Sequence, residues 1–180
     1  MDIGTISSRY AKALFSLAKE KKVEDRVYED MKMLTESFTT EPGLKGALSN
    51  PVIPVTEKVN LLKAAGGLQV SDLYTRFIRL ALRHKREALL PLIAYIYIRL
   101  YRTEKKITRV LFDTAVPVDE EIKAHLEKKL KEETGSTIEF SGRVRPELIG
   151  GFRLRVGNYR IDASYATRLR DIHAGLLENR

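Results

Sequence analysis

Apolar side chains recur every three or four positions up to about residue 105 and turn to alternation beyond it. The pattern therefore predicts helices first and a mixture of strands and helices afterwards. The first helix runs from a cap at Ser7 or Ser8 to about Lys19, and a second covers Glu24 to Thr39 with Val27, Met31, Leu34 and Phe38 inward. A short helical segment follows Glu41-Pro42-Gly43 and ends near Ser49-Asn50-Pro51, because Pro51 disfavours helical angles at Asn50. Pro54 to Ala65 forms a fourth helix stopped by Gly66-Gly67, and Ser71 opens a fifth carrying Tyr74, Phe77, Ile78 and Ala81. Residues 87–104 make a sixth, apolar almost all round and hence central.

Near Lys105-Lys106 the period changes. Ile107 to Val116 contains a β-rich run, Pro117-Val118-Asp119-Glu120-Glu121 starts a helix that Gly135 ends, and Thr137 to Val144 is another strand. The predicted fold is two domains: an all-α six-helix bundle over 1–105, then a small α+β domain over 106–180 in the order β-α-β-β-β-α. The last third of the chain is the most informative. Gly150-Gly151 forms a pivot, and Phe152, Leu154 and Val156 alternate with Arg153 and Arg155, giving a strand with one apolar and one cationic face. Gly157-Asn158 suits a tight hairpin into Tyr159 and Ile161, and Ser164 caps a terminal helix reaching about Leu177.

Two helices carry more apolar surface than one core contact requires. On the first, Ile6, Tyr10, Ala13, Leu14 and Leu17 form one stripe, and Ala11, Phe15 and Ala18 form another. On the fifth, Val70, Leu73, Phe77 and Leu80 lie beside Tyr74, Ile78 and Leu82. Two such helices could frame a groove for an amphipathic partner helix, with Ala11 and Ala18 allowing close approach. The same surplus arises if both helices are simply interior to the bundle.

Charge sharpens this picture more than composition does. The formal net charge is +8, but residues 1–75 balance ten basic against ten acidic side chains, and residues 76–105 alone carry +6. Residues 143–170 hold seven arginines and no lysine. Such clustering fits an acidic partner surface or nucleic acid. A basic RNA-binding adaptor is thus the rival reading, weakened because no aromatic residue shares the strand face of Arg153 and Arg155 to give bases a stacking platform. Arginine forks serve equally for carboxylates of a protein partner, and Arg168 and Arg170 would extend that surface.

Chemistry is hard to find. There is no GxxxxGK[ST] phosphate cradle, and Gly150-Gly151 lacks the third glycine of a dinucleotide fold. His84, His125 and His173 are scattered without metal-ligand spacing, and His173 with Asp162 has no nucleophile motif beside it. No catalytic, cofactor-binding or metal-binding residue is expected, and no cofactor. With no cysteine, neither disulfides nor thiolate chemistry is available. Met1 to Ile6 lacks the basic and apolar regions of an export or transit signal, and Ala88 to Ile98, broken by Pro91, is far short of the roughly 20 residues of a membrane span.

Three separated motifs resemble one family. Pro146-x-Leu148-Ile149-Gly150-Gly151, the strand and turn after it, Ile161-Asp162-x-Ser164 and a final Arg-Leu helix look like the C-terminal signature of the F-type ATP synthase delta subunits, relatives of the mitochondrial oligomycin sensitivity-conferring protein. Ser8-Arg9-Tyr10-Ala11-Lys12-Ala13-Leu14-Phe15 resembles that family's first helix, and Leu48-Ser49-Asn50-Pro51-Val52-Ile53 with Glu57-Lys58 its mid-domain turn. Arg145, Ala163 and Tyr165-Ala166-Thr167 depart from the usual pattern. The resemblance implies a non-catalytic stator subunit of the peripheral stalk, at the cytoplasmic face of a bacterial inner membrane and attached only through the stalk. Domain 1–105 would take the N-terminal helix of an alpha subunit of the catalytic head, and domain 106–180 would bind the b subunits. Head contacts would then fall among Arg9, Tyr10, Ala11, Ala13, Leu14, Leu17, Tyr74, Phe77 and Ile78. Gly150, Gly151, Arg153, Arg155 and Arg168 would serve stalk docking or the integrity of the module.

Overall fold

The computed structural model describes residues 2–67, 69–157 and 159–178. The chain divides into two compact units, 1–104 and 105–180. Among the described residues the first contains six α-helices: α1 (Ile3–Glu20), α2 (Glu24–Thr40), α3 (Gly43–Ser49), α4 (Val55–Ala65), α5 (Asp72–Arg83) and α6 (Leu90–Glu104), with a short 3-10 turn at Glu87–Leu89 leading into α6. The α1 helix starts earlier than its serines suggest. Ser7 lies inside it, fully buried, and its hydroxyl donates to the Ile3 carbonyl at 2.9 Å. Because α1 begins at Ile3, with Asp2 at the position before its first turn, both serines lie inside the helix and the cap expected at Ser7 or Ser8 is not there.

Helix α6 packs against both α1 and α2. Ala11 and Ala18 of α1 face inward, and the Phe15 ring meets Tyr97 edge-on at 5.6 Å. From α2, Val27, Met31 and Leu34 complete this interior, and the Tyr28 ring stacks on Tyr101 at 4.1 Å. The Asn50-Pro51 turn is tied down by Lys58, a buried lysine that donates to the Leu48 carbonyl and lies 3.8 Å from the Glu87 carboxylate. A buried ammonium needs such partners, which gives the Pro51 motif a structural role.

The second unit runs β1 (Ile107–Thr114), α7 (Glu120–Thr134), β2 (Thr137–Val144), β3 (Phe152–Val156), β4 (Tyr159–Asp162) and α8 (Tyr165–Glu178). The sheet order is β2-β1-β3-β4: β1 and β2 are parallel through the α7 crossover, and the other pairs are antiparallel. Val110, Phe112, Ile138 and Leu154 form the core with Leu130 of α7. Strand alternation therefore puts Leu111, Asp113, Arg153 and Arg155 on the opposite sheet face. The hairpin expected at Gly157-Asn158 joins β3 to β4, with Val156 opposite Tyr159; Asn158 itself lies outside the described residues.

Candidate functional site

The surface most clearly shaped to receive something is a groove of about 400 Å³ between α1 and α5. Tyr10, Ala13, Leu14 and Leu17 form its α1 wall, and Leu73, Phe77 and Leu80 its α5 wall. Arg9, Lys21 and Arg76 stand among them, Arg76 paired with Asp72 at 2.7 Å. The floor is buried, with Leu14, Leu73 and Phe77 nearly closed off, whereas Leu17 and Leu80 remain 38% and 43% exposed. Tyr10 is oriented from two sides: its ring meets Phe77 edge-on at 6.4 Å, and its hydroxyl shares a 2.9 Å hydrogen bond with His84 Nδ1. The groove is apolar inside with a cationic margin.

The elements framing it are fixed by buried polar groups. Ser71 caps α5 by accepting from the Tyr74 amide at 3.1 Å. Asp30 on α2 in turn accepts from the Ser71 hydroxyl at 2.5 Å and from its amide at 3.0 Å. Asp30 is almost wholly buried, and that desolvation raises its pKa above the ordinary aspartate value despite the bonds from Ser71 and the nearby Arg26. The Tyr74 hydroxyl donates to the Leu62 carbonyl at 2.6 Å, anchoring α5 to α4, and burial pushes its pKa upward, so it stays a donor.

Of the residues expected at the head contact, Arg9, Tyr10, Ala13, Leu14, Leu17 and Phe77 converge on the groove. Ala11, Tyr74 and Ile78 do not: each is fully buried, so none can touch a partner seated there. On a helix packed on two sides the inner stripe and the groove stripe are both apolar, and composition does not tell them apart. Ala18, expected to ease close approach, is likewise in the interior. Lys21, Leu73, Arg76 and Leu80 complete the groove; Leu73 and Leu80 belong to the α5 stripe, whereas the two cations carry no sequence signal of their own.

In the second unit, Gly150 and Gly151 pack against the start of α8. Gly151 has φ +73°, and a Cβ there would run into the Ala163 carbonyl oxygen; one at Gly150 would run into the Tyr165 ring. Both glycines thus answer to packing. Arg153 donates to Asp162 at 2.8 Å, and Arg160 donates to the same oxygen at 3.0 Å. The Ser164 hydroxyl, donating at 2.7 Å, and after it Arg153, the Ser164 amide and Arg160 hold the Asp162 carboxyl well below the usual carboxylate range. Arg155 and Arg168 are exposed. One further surface escaped the sequence reading. Tyr165, Leu169, Ile172 and Leu176 lie on one side of α8 at spacings of four, three and four, all more than half exposed. Helical periodicity in the last fourteen residues before Asn179 is the signal that could have found it.

Among the described residues no helix is long and apolar enough to cross a membrane, and no cluster of three or more His, Cys, Asp or Glu could hold a metal ion. The family model for the ATP synthase delta (OSCP) subunit matches residues 6–176. The chain belongs to that family. ATP synthase subunit delta of Parabacteroides distasonis is 74% identical over the full length of both chains. The corresponding subunit of Phocaeicola vulgatus is 43% identical over 96% of this chain and 94% of its own. A chain in the cryo-EM structure of the Toxoplasma gondii mitochondrial ATP synthase hexamer shares the fold with a TM-score of 0.70 at 22% identity, covering 95% of this chain and 97% of that one. As a family member the chain is a structural, non-catalytic component of the peripheral stalk of a bacterial F-type ATP synthase, and so part of a membrane-associated complex. The family and its relatives lend no support to an RNA-binding adaptor.

Proposed function

We propose that the chain joins the catalytic head to the stalk as a two-ended adaptor at the cytoplasmic face of the inner membrane, resisting rotor torque on the head. The six helices of residues 1–105 act as one bundle, whose α1–α5 groove takes the N-terminal helix of an alpha subunit. Residues 106–180 bind the b subunits, with Arg153, Arg155 and Arg168 among the docking groups and Gly150 and Gly151 holding α8 in place. The groove carries this reading. Its size and apolar lining suit an amphipathic helix laid lengthwise, and its cationic margin, Arg9, Lys21 and Arg76, suits a helix with acidic flanks. The outward stripe of α8 supports the stalk end, since four large apolar side chains at heptad-like spacing call for a second apolar surface.

Calorimetric titration of the full chain with a peptide of the alpha subunit's N-terminal helix tests the head end. Binding should be stoichiometric and should persist at high salt, because apolar burial dominates. Ala13→Asp puts a charge on the exposed wall of the groove and should weaken binding at least about tenfold without unfolding the bundle. Equal affinity in wild type and Ala13→Asp would move the head contact elsewhere.

A further inference from the structure

The helix-free face of the second unit's sheet holds a cleft of about 240 Å³ whose walls are arginines from three strands and the turn after β2. Cross-strand register explains the convergence. Arg143 on β2 lies opposite Asp113 on β1, Asp113 lies opposite Arg153 on β3, and Arg155 on β3 lies opposite Arg160 on β4. The internal carboxylates are already engaged. Asp162 is shared by Arg153 and Arg160, and Arg145 is 3.5 Å from Asp113 and 3.0 Å from Glu147. That leaves Arg143 and Arg155 with no ion-pair partner among the described residues. Arg155 also stands directly across from another arginine, an arrangement that costs stability in a sheet. The Arg145 Nε is buried and makes no hydrogen bond. Leu111 supplies an apolar floor between the cations.

From this geometry we infer that the cleft is a receptor for an acidic peptide segment of the stalk partner, with carboxylates taken by Arg143 and Arg155. This deepens, and rests on, the reading that the second unit binds the stalk. Planar guanidinium groups donate to carboxylate oxygens in pairs, and Arg153 and Arg145, held by their own carboxylates, keep the walls in place. A nucleic acid would need stacking surfaces, and among the described residues this face has none: Tyr159, though exposed, is in register with Val156, and Phe112 with Leu154, so both belong to the opposite side of the sheet.

The test titrates the full chain with the soluble part of the b subunits and, separately, with an oligo-glutamate peptide, at low and high salt. The peptide should bind at low salt and compete with the b subunits. Arg143→Gln with Arg155→Gln should weaken both partners by roughly tenfold or more and flatten the salt dependence of b binding. Both positions are exposed, and an unchanged unfolding midpoint would show that the fold is intact. If the wild type binds the b subunits, the glutamine variant binds equally well and the peptide neither binds nor competes, the cleft is not the receptor while the stalk reading stands. If the wild type does not bind the b subunits, the stalk reading fails and the cleft proposal falls with it. A single-stranded RNA oligonucleotide displacing the peptide at lower concentration would overturn the choice of an acidic peptide.

Discussion

Gly151 sits where the loop after β2 turns back under the start of α8. Its positive φ and the Ala163 carbonyl facing its Cα leave no room for a Cβ. Gly151→Ala combines backbone strain with a clash against backbone, which no side-chain movement can relieve. It should destabilise the second unit by about 2 kcal/mol or more, read as a shifted denaturant midpoint of that unit alone. Gly150 is limited by the ring of Tyr165, the first residue of α8. Arg145 answers to a different local demand: it bridges Asp113 on β1 and Glu147 in the following turn. At this scale sequence reasoning saw that the glycines mattered. It could not see what pressed on them, because Ala163 and Tyr165 meet the loop only after the sheet has formed.

Periodicity located the helices of the first unit because they bury apolar positions: on α2 the residues its spacing marks, Val27, Met31, Leu34 and Phe38, are buried, together with Tyr28 and Asp30, which it does not mark. It failed to separate two apolar stripes on one helix. On α1, Ala11 and Leu14 are both buried, yet only Leu14 also lines the groove; on α5, Tyr74 and Ile78 go to the core and Leu80 to the rim. Strand pairing is less legible still. The β2-β1-β3-β4 order gathers Arg143 and Arg145 beside Arg153 and Arg155, a convergence that follows from register and not from any spacing along the chain. The position of α5 can be tested through its anchor. Tyr74→Phe removes the donor to the Leu62 carbonyl but leaves that carbonyl its bond from the Gly66 amide, so the cost should be only about 1 kcal/mol. Because the ring is fully buried, affinity for the alpha-subunit peptide should stay within about twofold at a temperature where the bundle is folded. A large loss of affinity at unchanged stability would instead make Tyr74 a contact residue.

Across the whole molecule, the two units hold carboxylates of opposite sign in their linkage to pH. Asp162 in the second unit has a depressed pKa, so its ionised form is favoured by folding. Its contribution is complete above the ordinary aspartate pKa of 3.8 and is lost as pH falls below it. Asp30 in the first unit has a raised pKa because it is buried. In the interval between its unfolded and folded pKa values the native state binds more protons, so stability falls as pH rises through that interval, and the charged form burdens the fold above it. Acidification from neutrality should therefore first relieve the first unit and then, below about pH 4, weaken the second. Scanning calorimetry of the full chain across this range should show two transitions whose separation changes with pH. Asp162→Asn should remove the acid-side loss from the second transition and lower it at neutral pH. Asp30→Asn keeps an oxygen able to accept both bonds from Ser71, and should flatten the pH response of the first transition while leaving the second in place. A single transition that responds to both substitutions would mean that the units unfold as one cooperative body.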